Sequence, residues 1–295
     1  MKPIVYIATV ALAAGCARPA YVAKSDAAMA WMQGSPARVA ETSFNDPAGR
    51  RHLPADTLDL FDIHTELDYN HAGNITRMAS FRGPDSLRVS EENYFYDLSG
   101  ERLERAETYD PASRGTIAVL YEYDSAGRLT REVESNGFYH FGHTYNRHGY
   151  PKTQTTDSPE TENETGKEVV IARYRYDKQG RLKKLTGERR ERYRYHPDGT
   201  LAEVRGGRNS IDSYNEHGDL TSMAVRINRR NRKGRVFERF EVTLTAEYEY
   251  DAHGNWTRRT QLYKGDVVGV AVRRIKYHDE AAPKDEITRK EDTDR

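Results

Sequence analysis

Ten histidines, one cysteine and 46 acidic residues are the side chains of this 295-residue chain that could do chemistry, and their spacing restricts what that chemistry can be. His140 and His143 are three apart. On one strand they would face opposite ways and could not hold one ion together. His148, His217 and His253 stand directly before a glycine, and His71 stands two places before one. Each of those glycines ends a turn-like string, so turn chemistry accounts for the histidines and no metal is expected. The metalloprotease, nucleophile-elbow, phosphate-loop, dinucleotide and EF-hand patterns do not occur. Carboxylates are so dense that a glycosidase-like pair of them carries no information. The expectation is a protein that is not an enzyme and has no cofactor.

Cys16 is the one thiol, and it ends the string Ala13-Ala14-Gly15-Cys16. Ahead of it lie Lys2 and an apolar run of Ile4, Val5, Ile7, Val10, Ala11 and Leu12, too short to span a bilayer as a helix. A charged start, an apolar middle and a small-residue end mark a secretory signal. The string before Cys16 resembles a bacterial lipobox, although Ala13 stands where such motifs more often carry Leu. The resemblance implies cleavage before Cys16 and lipidation of that residue. Ala17 follows, not Asp, which in similar Gram-negative lipoproteins implies the outer membrane. A lone cysteine in an exported chain has no disulfide partner within it, which agrees with a lipid-bearing role.

Lys plus Arg equals Asp plus Glu, so the net charge is zero and nothing global favours nucleic acid. Only 36% of residues are hydrophobic, yet there are 20 Tyr. Apolar surface supplied by tyrosine rings suits a thin, half-exposed sheet better than a thick core.

The strands that must carry these residues are legible as repeats. The clearest copies are YEYDSAGRL (Tyr121 to Leu129), YRYDKQGRL (Tyr174 to Leu182), YRYHPDGTL (Tyr193 to Leu201) and YEYDAHGNW (Tyr248 to Trp256). Looser copies start at Leu67, Tyr94, His143 and Asp212, about eight in all. Tyr-x-Tyr puts two rings on one face of a strand. Asp or Asn, two residues and Gly describe a type I turn with a glycine bulge, and the residue two places beyond Gly starts the returning strand. Alternation in Phe61–Tyr69 and Val242–Tyr250 supports strands on either side.

These strings resemble the YD repeats of the RHS family. The resemblance implies an all-β fold of repeated antiparallel hairpins in a curved, open sheet. About eight repeats are too few for the closed shells of large relatives, so the shell function is not carried over. The expected organisation is a signal peptide over 1–15, lipidated Cys16 with a flexible tether over 16–57, the hairpin array over 58–278 and a charged disordered tail over 279–295.

The expected function is non-catalytic binding at the cell envelope, by a lipid-anchored protein of the outer membrane. Sugar rings would stack on Tyr121, Tyr123, Tyr174, Tyr176, Tyr193, Tyr195, Tyr248, Tyr250 and Trp256, beside arginines such as Arg175 and Arg194. YD-repeat proteins are often described as sugar-binding, so the resemblance points the same way. The partners expected are the membrane, through the N-terminal lipid, and a glycan or another envelope protein. The alternatives are a purely structural or assembly lipoprotein and an envelope hydrolase.

Overall fold

The computed structural model describes residues 24–30, 32–44, 63–82, 87–110, 115–135, 140–157, 169–206, 210–230 and 235–279. Residues 1–23, with Cys16 among them, and the tail from 280 onward lie outside the described residues. A short helix α1 (Asp26–Met29) precedes β1 (Pro36–Phe44), β2 (Ile63–Tyr69), β3 (Ile75–Arg82), β4 (Leu87–Tyr96), β5 (Leu103–Asp110) and β6 (Gly115–Tyr123). Then come β7 (Leu129–Glu134), β8 (His140–Tyr145), β9 (Pro151–Thr156), β10 (Val169–Tyr176), β11 (Leu182–Gly187) and β12 (Glu191–Tyr195). The last are β13 (Leu201–Arg205), β14 (Ser210–Tyr214), β15 (Leu220–Arg230), β16 (Val236–Tyr250), β17 (Trp256–Tyr263) and β18 (Asp266–Tyr277).

The repeats are hairpins, and their turns follow from their residues. Asp124 Oδ1 accepts the amides of Ala126 and Arg128, both at 2.9 Å, while the Gly127 amide donates to the Asp124 carbonyl at 2.9 Å. The glycine is left in the left-handed region, where a Cβ is strained. Gly127 has φ +73°, Gly180 +82°, Gly199 +95° and Gly254 +86°, as the repeats predict. The register slips beside each turn, as between Glu122 and Tyr123, which is the expected bulge. The arginine of the repeat also has a local task. Arg128 and Arg181 clamp their own turn carboxylates, Asp124 and Asp177, and lie over the rings of Tyr145 and Tyr195 in the next hairpin.

Each strand pairs antiparallel with its neighbours in sequence, from β2 through β18. β1 pairs with β2 on one side and β18 on the other. The sheet is therefore a closed barrel of 18 strands, not the open sheet expected. Two strands come from each of eight hairpins, and β1 and β18 complete an even number, as antiparallel closure requires. Repeat counting missed the closing strand because β1 lies in the stretch expected to be a flexible tether. Val39 of β1 sits opposite Ile275 and Leu67 and is 1% exposed. Ala27 of α1, Val39 and Tyr69 form one buried cluster, and Phe44, Val270 and Val272 another. At a strand spacing of about 4.8 Å the perimeter is roughly 86 Å, too wide for side chains to fill the interior as in small barrels.

Alternation tells the two faces apart. Arg173 and Arg175 are exposed while Tyr174 and Tyr176 are half-buried. Arg192 and Arg194, against Tyr193 and Tyr195, behave the same way, as do Glu247 and Glu249 against Tyr248 and Tyr250. Side chains converge inside a closed sheet and splay outside it. The tyrosine face is thus the concave one. Arg175 and Arg194 point away from it, which corrects their placement beside the rings: neighbours along a strand face opposite ways.

Candidate functional site: a tyrosine and carboxylate belt on the concave face

The two tyrosines of each repeat look alike in sequence and do different things. In four of the repeats the second one reaches sideways. Tyr123 donates its hydroxyl to the Leu103 carbonyl at 2.6 Å, and Tyr195 donates to Leu182 at 2.8 Å. Tyr96 and Tyr145 make the same bond to Ile75 and Leu129. Each acceptor opens the returning strand of the hairpin before. These hydroxyls are therefore rungs between hairpins, satisfying carbonyls beside the bulge. Burial lifts the Tyr123 and Tyr145 hydroxyls to about 12, so they stay protonated donors. In the last repeat Tyr248 takes this part, donating to Leu220 at 2.7 Å, while Tyr250 meets Asn215 and Asp219.

The first tyrosines stand on the same face, away from those carbonyls. Tyr94 donates to Glu92 and Tyr193 to Glu191. Tyr174 donates to Gln154 Oε1 at 3.3 Å. Tyr121 lies directly opposite Glu132. In the corresponding hairpin position Tyr94 faces Ala106, Tyr174 faces Leu185 and Tyr193 faces Val204. Glu132 is thus a carboxylate where these other repeats place an apolar side chain. Its Oε1 is 2.7 Å from His143 Nε2, and both side chains are well covered, at 14% and 10% exposed. His143 in turn is opposite Gln154. The result is a continuous polar row across five strands: Tyr121, Glu132, His143, Gln154 and Tyr174.

Such a row offers flat rings beside carboxylate, imidazole and amide groups, which can accept and donate hydrogen bonds to a hydroxylated ligand. The repeats pointed to Tyr121 and Tyr174 but not to Glu132, His143 or Gln154. Counting residues outward from the turn would have set Glu132 against Tyr121. The same count sets His143 against Gln154 across their own turn, but the contacts of Glu132 with His143 and of Gln154 with Tyr174 depend on pairing between hairpins, which no turn encodes.

Trp256 does not belong to an accessible platform. It is 4% exposed, with the Arg273 guanidinium 3.6 Å from its ring centre and Tyr248 at its edge. Arg273 is held by Glu41 of β1 at 2.9 Å, so ring closure itself seals the indole. The remaining predicted residues, the eight tyrosines, are all half-buried.

The histidines of the turns serve as packing. His217 stacks on Tyr250, His253 packs on Tyr277 and His71 stacks on His278, with ring centres about 4 Å apart. His140 meets Asp157 at 2.8 Å, apart from the His143 pair. Among the described residues no group of three or more potential ligands gathers to hold a metal.

No family model matches the chain, and no curated protein matches it. Solved structures do. The crystal structure of TcdB2-TccC3-Cdc42 aligns with 71% of this chain and 14% of that chain, at 14% identity and a TM-score of 0.29. The Photorhabdus luminescens Tc holotoxin pore gives 71%, 14%, 12% and 0.27 on the same measures. A porin-like protein from Bacteroides uniformis is covered over 98% of its length by 83% of this chain, at 11% identity and a TM-score of 0.35. The chain spans about one seventh of the two toxin structures. Likeness at this level bears on neither activity nor partners.

Proposed function

We infer that this protein is a non-catalytic binding module of the bacterial cell envelope, built from YD-type repeats and taking carbohydrate on its concave face. The observation that supports it is the row Tyr121, Glu132, His143, Gln154 and Tyr174. It joins ring, carboxylate, imidazole and amide groups across β6 to β10, with Glu132 at a position where the hairpins of Tyr94, Tyr174 and Tyr193 carry Ala106, Leu185 and Val204. A sugar ring presents apolar C–H faces and a hydroxyl rim, which match half-buried rings edged by acceptors.

The wall around this row is suited to water rather than to lipid. Arg173, Arg175, Arg192, Arg194, Glu247 and Glu249 are exposed on the convex face. A barrel set in a bilayer needs an apolar outer band about 25 Å tall, and each midplane Arg costs about 2–4 kcal/mol there. Attachment to a membrane would therefore fall to the lipid expected on Cys16, with the barrel beside the bilayer.

A glycan array probed with the signal-free chain tests the reading, followed by titration of each hit with Glu132→Gln and Tyr174→Ala. Binding is expected to weaken at least tenfold in both variants while the fold stays intact. Hits untouched by both changes, or an array with no hits, would leave the purely structural role. That role has its own support in the tyrosine rungs, whose hydroxyls are tied to backbone carbonyls.

A further inference from the structure

We propose that the carbohydrate taken on the concave face carries a free amino group, whose ammonium seats on Glu132 beside the ring of Tyr121. The proposal rests on the reading of this face as a glycan site and narrows the class of glycan.

Carboxylates elsewhere on the strands meet a guanidinium. Glu41 is 2.9 Å from Arg273, Glu91 is 2.9 Å from Arg77 and Glu203 is 2.7 Å from Arg205. Among the described residues Glu132 has no lysine or arginine partner; His143 Nε2 holds its Oε1 at 2.7 Å. An imidazole can do this as a neutral N–H donor, which leaves the negative charge in place. Glu132 Oε2 has no hydrogen-bond partner among the described residues. The side chain is 14% exposed, so water screens that charge less than it would at an open surface, and a cation brought to it gains more.

Tyr121 stands directly opposite. Tyr94, Tyr174 and Tyr193 donate their hydroxyls to Glu92, Gln154 and Glu191, whereas the Tyr121 hydroxyl makes no hydrogen bond among the described residues. The strand explains the difference. Two places before Tyr94 and Tyr193 stand Glu92 and Glu191, but two places before Tyr121 stands Val119. The carboxylate of this hairpin lies across the strand pair instead. Directly opposed Cβ atoms are about 5 Å apart. An ammonium resting on Oε2 is therefore within the roughly 6 Å over which a tyrosine face attracts a cation. Burial, and then the charge of Glu132, raise the hydroxyls of both Tyr121 and Tyr174, so that charge is felt at the two ends of the row. A free carboxylate oxygen beside an aromatic face favours a charged N–H over a neutral hydroxyl and repels an anionic sugar.

The test is calorimetric titration of the full chain, held in detergent at neutral pH, with a glucosamine tetramer and with its fully N-acetylated counterpart. N-acetylation removes the charge and keeps the sugar backbone. The amino form is expected to bind at least tenfold tighter. In Glu132→Gln, whose amide keeps an acceptor for His143, that difference is expected to shrink below twofold. Tyr121→Phe keeps the ring face and should retain the preference, while Tyr121→Leu should lose most of it. Circular dichroism reports the strand content of each variant. If Glu132→Gln does not fold, the contrast between the two Tyr121 variants decides. Equal binding of the two tetramers, or a preference that survives Glu132→Gln, overturns the proposal and leaves the carbohydrate reading standing. Binding of neutral array glycans when neither tetramer binds does the same. No binding by any glycan removes both.

Discussion

The hydroxyl of Tyr195 donates to the backbone carbonyl of Leu182, 2.8 Å away and 13 residues earlier in the chain. Leu182 is 8% exposed, so its carbonyl has little access to a replacement donor. Tyr195→Phe removes the donor and is expected to cost about 1 kcal/mol. Tyr195→Ala also removes the ring and is expected to cost about 3–5 kcal/mol. Tyr193→Phe loses the bond to Glu191 on its own strand and should cost less than Tyr195→Phe. Urea unfolding of the three variants measures this. Equal losses at positions 193 and 195 on change to Phe would refute the distinct roles of the two tyrosines.

Two turn glycines with similar φ differ in what surrounds them. A Cβ on Gly127 meets nothing within 4 Å, whereas one on Gly180 would lie 2.0 Å from the buried Tyr150 hydroxyl. Gly127→Ala should therefore show only the left-handed strain, about 1–2 kcal/mol. Gly180→Ala adds a steric clash against Tyr150, and its loss should be roughly 2–4 kcal/mol. Thermal or urea midpoints rank the two, and the reverse ranking would contradict the packing of Tyr150 under this turn.

Asp26 gives the fold a dependence on pH. Burial raises its carboxyl above the ordinary value of 3.8, outweighing the Ile75 and Tyr96 hydrogen bonds that lower it. A carboxyl raised in this way holds its proton more tightly in the folded chain, so its charged form opposes folding. The penalty is absent below the unfolded value and complete above the folded one. Stability from this group thus falls as pH rises from about 4 through the folded pKa. Asp26→Asn keeps an acceptor for the Ile75 amide without the charge. It is expected to match or exceed the parent at pH 7, with the two stability curves converging toward pH 4. A variant markedly weaker at pH 7 would show that the hydrogen bonds dominate.

The exposed arginines of the convex face predict a barrel that needs no detergent. Cys16→Ser without its signal should stay soluble at neutral pH with full strand content by circular dichroism. Arg175→Leu and Arg194→Leu should each shift its stability by no more than about 0.5 kcal/mol. A chain that precipitates unless detergent is added would mean that the wall is lipid-facing.

Hairpins were legible in this chain because their determinants are local. Asp124 and Gly127 sit three residues apart, and their side-chain and backbone demands set the turn, the bulge and hence the pairing of Tyr121 with Glu132. The all-β class follows from repetition of that local rule. Closure does not. β1 meets β18 across more than 220 residues, and nothing in its own alternation of Val39, Glu41 and Ser43 names Ile275, Arg273 and Ala271 as partners. Only when the accumulated hairpins bring β18 and β2 to the two sides of a gap one strand wide does β1 gain both neighbours. The same holds for the site. Tyr-x-Tyr placed the rings on one face, but the difference between a rung such as Tyr123 and a belt residue such as Tyr174 depends on how neighbouring hairpins are offset. Trp256 reads as an exposed ring from its turn and is buried because Arg273, fixed by Glu41 of the closing strand, lies on its face. Local chemistry set each hairpin; the offsets between hairpins and the single long-range closure decided which side chains line the interior.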